Sequence, residues 1–436
     1  MTNLDIGVAG IVVTLLLIAL RVPIGLTLGL VSIVGVAAMT SIRVSWGLIS
    51  ATPFDFVGQW ELTAAPMFLL MGYICSTTDM TKGLFSAMRL MLARLPGGLA
   101  VSSVAACAFF AAASGSSVAT AAAMSRIAVP EMLANCYDKG LATGTIAASG
   151  TLGSLIPPSV LLILYGVYAQ VSVGQLFMAG FLPGIVSALL YMAMIVVRVR
   201  ANPSLAGTVQ IEVTRAEKIA AFKDIWPLPV LILSVLGGIF TGIFSPTEAG
   251  AIGAFVAAVI AYSRGALTRE AIKSALINTA NSTSSIFIIL IGSVFFTRFL
   301  ALSGVPVAFS ELILGVSDQI WWILLAVTVI YVILGMFIDS IGLLLLTLPL
   351  ILPLVDGAGF DLVWFGIIVI KLLEIGLVTP PIGLNVYVIK GALGNLVTLQ
   401  EVFKGVTWFV VMDLVALLLI IIFPAMSLFL PTLAYR

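Results

Sequence analysis

The chain has 436 residues, of which 61% are hydrophobic and only 9% charged, with a mean hydropathy of +1.23. Soluble domains carry about 25% charged residues, so a water-soluble enzyme, a nucleic-acid binder and a disordered scaffold are excluded. A formal charge of +1 offers no polyanion-binding surface. The lack of histidine removes His-ligated metals, haem, His-based triads and His proton relays. Cys75, Cys107 and Cys136 sit at unrelated spacings in apolar stretches and support neither a disulfide framework nor a zinc site.

What remains is an all-α polytopic membrane protein, because every backbone polar group must be satisfied inside the bilayer. A β-barrel would show short alternating segments, and the long apolar runs contradict that. The run 6–20 lacks the basic flank and small-residue cleavage site of a signal peptide and is predicted to be retained. At roughly 20 residues per crossing, full spans are predicted near 5–21, 24–41, 60–77, 141–169 and 175–197. A second set falls near 226–244, 246–263, 283–303, 362–390 and 406–430.

Two apolar regions are too long for one span and carry a polar, Gly-containing break. Region 97–134 is interrupted by Ser114, Gly115, Ser116, Ser117 and Thr120, and region 320–354 by Gly335, Asp339, Ser340 and Gly342. Both are read as re-entrant helical hairpins. The one long polar stretch, 201–224, reads as a cytoplasmic linker between two halves, 1–200 and 225–436.

The halves repeat. At an offset of 223 residues Pro23 falls on Pro246, Pro130 on Pro353, Pro157 on Pro380, Pro158 on Pro381 and Gly153 on Gly376. In that frame Ser116 meets Asp339 and Ser117 meets Ser340. Placing the N-terminus in the periplasm puts Arg21, Lys82, Arg89, Arg94, Lys139, the linker, Arg264, Arg269, Lys273, Lys390 and Lys404 in the cytoplasm. Asp55, Glu61, Glu311, Asp318, Asp356 and Asp361 then face outward, while Arg43, Arg126, Arg298, Lys371 and Arg436 fall elsewhere. This arrangement satisfies the positive-inside rule. Five crossings per unit invert the second copy, and inverted repeats with helices broken at mid-membrane are the architecture of secondary transporters.

The chemistry concentrates at the breaks. In 114–120 (SGSSVAT), small hydroxyl residues and glycine let unpaired backbone groups point at a ligand. Carbonyls suit Na⁺, and freed helix N-termini suit a carboxylate; close helix packing is the competing explanation. In 150–159 (GTLGSLIPPS) the double proline cannot continue a helix, and Gly150 and Gly153 weaken it just before. An unwound segment there, with Thr151 and Ser154, is predicted to face the first hairpin tip, and 374–385 is its repeat partner, carrying Thr379, Pro380, Gly383 and Asn385.

Asp339 lies among Phe337, Ile338 and Ile341, where a carboxylate costs roughly 2.5–3.5 kcal/mol on insertion scales. It is expected to bind a cation, or else to pair with Lys371 or Arg298. Glu374 and Glu248 are weaker candidates of the same kind. Arg298, inside an apolar span, either offers a bidentate partner to an organic acid or snorkels to the headgroups. Asn278, Asn281, Ser282, Thr283, Ser284 and Ser285 form a polar approach to the same span. Residues 84–95 are amphipathic and predicted to lie along the cytoplasmic interface.

The stretches SGSSVATAAAMSRIAVPEM (114–132), GTLGSLIPPS, GMFIDSIGLLLLTLPLILPL and EIGLVTPPIGLNVYV (374–388) resemble the large membrane subunit of the tripartite ATP-independent periplasmic (TRAP) transporters. The likeness covers essentially the whole chain. The family pattern often has another small residue or glycine near Met124 and Ser125. The resemblance implies a Na⁺-driven importer of organic acids, of the C4-dicarboxylate or sialic acid type, in the bacterial inner membrane. A small four-helix membrane subunit (Q type) and a periplasmic substrate-binding protein (P type) would complete it. Its Na⁺ sites would involve Ser114, Gly115, Ser116, Ser117, Gly150, Thr151, Gly153, Gly335, Asp339, Ser340, Thr379 and Pro380, with substrate near Ser116, Ser154, Arg298 and Asn385.

The expected mechanism is elevator-type: hairpins and Pro-broken helices move together against a scaffold of the other spans and the amphipathic arm. No organic cofactor and no ATP are implied, because there is no Walker A sequence. The alternative in the same class is a self-sufficient ion-coupled dicarboxylate or citrate carrier. An intramembrane enzyme finds no Ser–His pair, and only Asp339 and Asp413 could form an aspartyl dyad. A passive channel is the third option.

Overall fold

The computed structural model describes residues 2–78, 80–92, 94–207, 225–316 and 320–434; among them every regular element is a helix. Most of the predicted linker, from 208 to 224, lies outside the described residues, as do Asp318 and Arg436; the side chains of Asp55 and Lys82 lie outside them too.

The first half runs α1 (Asn3–Ala19), α2 (Ile24–Met39), α3 (Ile42–Val57), a short 3₁₀ turn and α4 (Ala64–Thr77). Each start has a local cause. Thr2 and Asp5 form a capping box on α1, Pro23 precedes α2, and Ser41 Oγ accepts from Val44 N at the head of α3. α3 was not among the predicted spans. The helix continues through Pro53.

Then come α5 (Met80–Leu92), α6 (Gly98–Ser114), α7 (Ser117–Ala134), α8 (Lys139–Leu155), α9 (Val160–Ala169) and α10 (Val173–Ala201). The second half comprises α11 (Pro227–Phe240), α12 (Pro246–Ser263), α13 (Arg269–Ser303), α14 (Val305–Val316), α15 (Ile320–Gly335) and α16 (Ser340–Gly357). It closes with α17 (Leu362–Val378), α18 (Leu384–Leu393), α19 (Leu399–Ile422) and α20 (Ala425–Ala434).

Both predicted hairpin regions are two helices around a break, α6–α7 and α15–α16. Both diproline regions are broken as well, between α8 and α9 and between α17 and α18. Two boundaries differ from expectation. α13 starts at Arg269, so the polar run from Asn278 lies within a helix rather than ahead of one. The region 406–430 splits at Phe423–Pro424 because Pro424 cannot continue α19. The amphipathic α5 packs against α6 and α7. Its Leu84 and Phe85 are buried, and Arg89 is ion-paired with Glu131 of α7.

Among the described residues, six helical stretches are long and apolar enough to cross a membrane by length and composition, Val173–Ala201 and Arg269–Ser303 among them. Other predicted spans are shorter; α1 and α2 have 17 and 16 residues.

At the centre lie α8 and α17, the two helices that lead into the diprolines. Every residue of α8 from Leu141 onward and every residue of α17 from Val363 onward is buried. These two helices are encased by their neighbours. α8 packs against α6, α7 and α19, and α17 against α15, α16 and α19. The hairpins and the broken helices therefore form one contiguous body.

Candidate functional site

At the first hairpin α6 stops at Ser114, and Gly115 turns the chain with φ 62°, a left-handed conformation that favours glycine. Ser116 then caps α7, its Oγ accepting from Ala119 N at 3.4 Å. Ser114 and Thr120 hydroxyls are 2.7 Å apart across the turn. The turn rests on the first diproline segment: Val160 N donates to Gly115 O at 3.2 Å. Pro157–Pro158 is cis, and so is Pro380–Pro381.

Gly150 and Gly153 do not unwind α8, which stays helical to Leu155. Their role is close approach. A Cβ on Gly153 would lie 2.7 Å from Ser116 O, and one on Gly150 would lie 2.8 Å from the Ala121 Cβ. The bare backbone lets the hairpin seat on the helix. Thr151 faces the other way, donating to Ala148 O at 2.6 Å and approaching Tyr191 of α10.

The second hairpin is built alike. α15 ends at Gly335, and Asp339 caps α16, its Oδ2 accepting from Gly342 N at 3.0 Å. A Cβ on Gly376 would sit 2.7 Å from the Gly335 Cα, so this hairpin meets α17 through a glycine contact. Ser340 Oγ is buried without a partner. Thr379 Oγ1 donates back to Ile375 O at 2.5 Å. The two diproline corners differ in surroundings: Pro157 and Pro158 are buried, Pro380 and Pro381 exposed.

A buried junction joins the halves. Ser117 Oγ donates to Glu374 Oε2 at 2.7 Å and lies 2.6 Å from Ser154 Oγ. Glu374 Oε1 has no partner. The acid that read as the weaker candidate is thus central and buried, whereas Asp339 is half-buried at a cavity wall. That cavity, of about 490 Å³, is bordered by Ser116, Ser117, Ser154, Ser282, Asp339 and Ser340 among others. Asp339 has no ion-pair partner among the described residues.

Two predicted substrate residues stand elsewhere. Arg298 is exposed and does not border the cavity. Asn385 is buried against α8, its Nδ2 donating to Ala147 O at 3.3 Å, and it is Leu384 that borders the cavity. Lys371 pairs with Asp413 of α19 rather than with Asp339. Tyr191 donates to the same carboxylate, and Lys371 Nζ also donates to Ser187 Oγ at 3.2 Å. This buried pair was missed as a pair. Its one signal was two opposite charges, Lys371 and Asp413, set within apolar runs.

Among the described residues no group of three or more acidic or thiol side chains gathers as a metal centre. The oxygens on offer are hydroxyls, carbonyls and isolated carboxylates. Oxygens of this kind suit a hard cation and the hydroxyls and amides an anion.

The family described as "Tripartite ATP-independent periplasmic transporter, DctM component" matches residues 11–426. The chain belongs to this family. It is the large permease component of a TRAP transporter, a multi-pass membrane protein and not an enzyme. This DctM-family chain is 32% identical to the C4-dicarboxylate TRAP transporter large permease protein DctM of Pseudomonas aeruginosa, covering 87% of this chain and 88% of that one. It is 30% identical to the sialic acid TRAP transporter permease protein SiaT of Haemophilus influenzae, over 97% of this chain and 68% of that one. It is 31% identical to the isethionate TRAP transporter permease protein DctMQ of Oleidesulfovibrio alaskensis, and spans 64% of that protein's length. In fold it is similar to the Alcanivorax borkumensis YdaH transporter, with a TM-score of 0.59 and 13% identity over 87% of this chain and 89% of that one.

Proposed function

We propose that this DctM-family chain is the membrane permease of a Na⁺-coupled importer of organic acids of the C4-dicarboxylate or sialic acid type. It resides in the bacterial inner membrane with a periplasmic N-terminus, beside a small four-helix subunit, and receives substrate from a periplasmic binding protein. Family membership and the names of its relatives support the substrate class.

One observation carries the coupling. Both hairpin turns seat on a diproline helix, and the residues around them border a single cavity that holds a half-buried carboxylate without an ionic partner. Na⁺ binds at two pseudo-symmetric places. The first uses oxygens of residues 114–117 and Gly153, the second those of Gly335, Asp339, Ser340, Thr379 and Pro380. The substrate carboxylate lies between, at the N-terminal end of α7, where Ser116 and Ser154 face the cavity. The repeats are inverted, and the hairpins with α8, α9, α17 and α18 move as one elevator body against the remaining helices. If that body crosses only when fully loaded or empty, the Na⁺ gradient drives the acid.

The test is reconstitution of the chain with its small subunit in proteoliposomes, with and without the binding protein. Uptake of a radiolabelled organic acid is expected only with an inward Na⁺ gradient and the binding protein. Uptake by the chain alone would establish the self-sufficient carrier instead, and Na⁺-independent uptake would remove the coupling.

A further inference from the structure

Helices α10 and α19 pack side by side, and each presents a run of large apolar side chains to its surroundings. On α10 these are Ile185, Leu189 and Val197, and on α19 Val411, Leu414 and Leu418. All are exposed, and each set is spaced to lie along one helix face. In a membrane protein such a wall meets acyl chains.

The wall ends in cations. Arg198 and Arg200 lie in the last turn of α10, and Lys404 lies near the start of α19. The α10 dipole favours cations in that turn, which is reason enough for Arg200. It does not account for the setting of Arg198. The guanidinium carbon stands 5.5 Å from the centre of the Trp408 ring, so Arg198 is laid against α19. Its Nη1 is buried without a hydrogen-bond partner. Among the described residues the whole guanidinium makes no hydrogen bond or ion pair. Arginine carries five N–H donors and no acceptor. A half-buried arginine without any acceptor therefore offers a set of donors to an anion.

The neighbouring acids do not fill that role. Asp138 is near enough to act on Arg198, but its Oδ1 caps α8 by accepting from Leu141 N at 2.9 Å. Glu401 is paired with Lys139 at 3.5 Å and accepts from Thr398 N at the head of α19. Arg200 and Lys404 are exposed and make no ion pair among the described residues. This end of the seam is net positive, and tryptophan is a residue type that sits at headgroup level in membranes.

We infer that the seam between α10 and α19 binds an anionic phospholipid of the phosphatidylglycerol class. The Arg198 fork donates to the phosphate, as guanidinium groups do to paired phosphate oxygens. Arg200 and Lys404 add charge, and the acyl chains lie along the apolar wall. A zwitterionic lipid brings its own ammonium group toward the same cations, so the seam discriminates against it. Each cation near the surface is worth roughly fivefold in affinity. Binding of this lipid is independent of the transported solute and of the coupling ion.

The test uses the purified full chain, with and without its small subunit. It is titrated in detergent with palmitoyl-oleoyl phosphatidylglycerol or phosphatidylcholine and read by native mass spectrometry. Wild type is expected to bind one phosphatidylglycerol at least tenfold tighter than phosphatidylcholine. Arg198→Gln should weaken phosphatidylglycerol roughly fivefold and leave phosphatidylcholine unchanged. Lys273→Gln, which removes an exposed cation of α13, should change neither. An unchanged affinity in Arg198→Gln overturns the assignment. Equal losses in Arg198→Gln and Lys273→Gln would mean general surface charge and overturn it too.

If Arg198→Gln does not purify, Arg200→Gln combined with Lys404→Gln replaces it, both residues being exposed. A loss of phosphatidylglycerol binding is again expected, and no loss overturns the site. Loss of phosphatidylglycerol binding on adding the small subunit would make the seam a protein interface instead. Displacement of the lipid by an equal concentration of glycerol 1-phosphate would make it a site for free phosphate compounds, and likewise refute the lipid.

Discussion

The hydroxyl of Ser117 donates to the Glu374 carboxylate at 2.7 Å, joining the turn of the first hairpin to the helix that leads into the second diproline. The two residues are 257 positions apart in the chain. Half of the carboxylate is bonded to the first hairpin, and the other oxygen is buried without a partner.

That bond should be measurable as a coupling energy. In a double-mutant cycle of Ser117→Ala and Glu374→Met, followed by unfolding in detergent, the two effects are expected to be non-additive by about 1–3 kcal/mol. Additive effects would mean that the two side chains act independently.

The Lys371–Asp413 pair makes a contrasting prediction. Both side chains are almost wholly buried, at 2% and 0% exposure. Removing one partner strands the other charge, so Lys371→Met or Asp413→Leu alone should cost about 3–5 kcal/mol. The double replacement should recover most of that loss, since a well-packed apolar pair is often no less stable than a buried ion pair. Thermal unfolding of the purified variants reads both; a double variant as unstable as the singles would contradict the account.

Asp339 separates capping from charge. Its Oδ2 caps α16 through Gly342 N, and asparagine caps a helix about as well as aspartate. Asp339→Asn should therefore leave stability nearly unchanged while raising the Na⁺ concentration for half-maximal uptake several-fold. Asp339→Ala should add a stability loss of about 1 kcal/mol. A Na⁺ titration of uptake that does not move in Asp339→Asn would take this carboxylate out of ion coupling.

Glycines on one helix surface and another are not equivalent. A Cβ on Gly405 would lie 1.9 Å from Gly140 O, where α19 crosses α8, whereas one on Gly391 meets nothing within 4 Å. Gly405→Ala should force the helices apart and cost about 1–3 kcal/mol. Gly391→Ala, inside α18, should be neutral or stabilising by about 0.5–1 kcal/mol. Melting temperatures of the two variants, side by side, decide the matter.

Features that act on their own backbone were legible in the sequence. The breaks at Gly115–Ser116 and ahead of Asp339, and both diproline corners, follow from glycine, proline and hydroxyl groups interrupting apolar runs. Features that depend on what a side chain meets were not. Arg298 and Asn385 carry the right chemistry for an organic acid, but helical phase turns one outward and buries the other against Ala147. Gly150 and Gly153 read as helix breakers because composition does not distinguish a weak helix from a closely approached one; only the position of Ser116 and Ala121 does. Lys371 and Asp413 are separated by 42 residues, and their meeting is a property of how α17 and α19 cross. Helix α3 lies in a segment assigned to no span; it packs on α2 and α13 and runs through Pro53.

The sequestered Pro157–Pro158 corner and the bare Pro380–Pro381 corner are twins by composition and strangers by environment. Within this chain, surrounding helices enclose the earlier corner on every side and leave the later one uncovered. Two like dipeptides thus end in opposite settings, one enclosed and one bare.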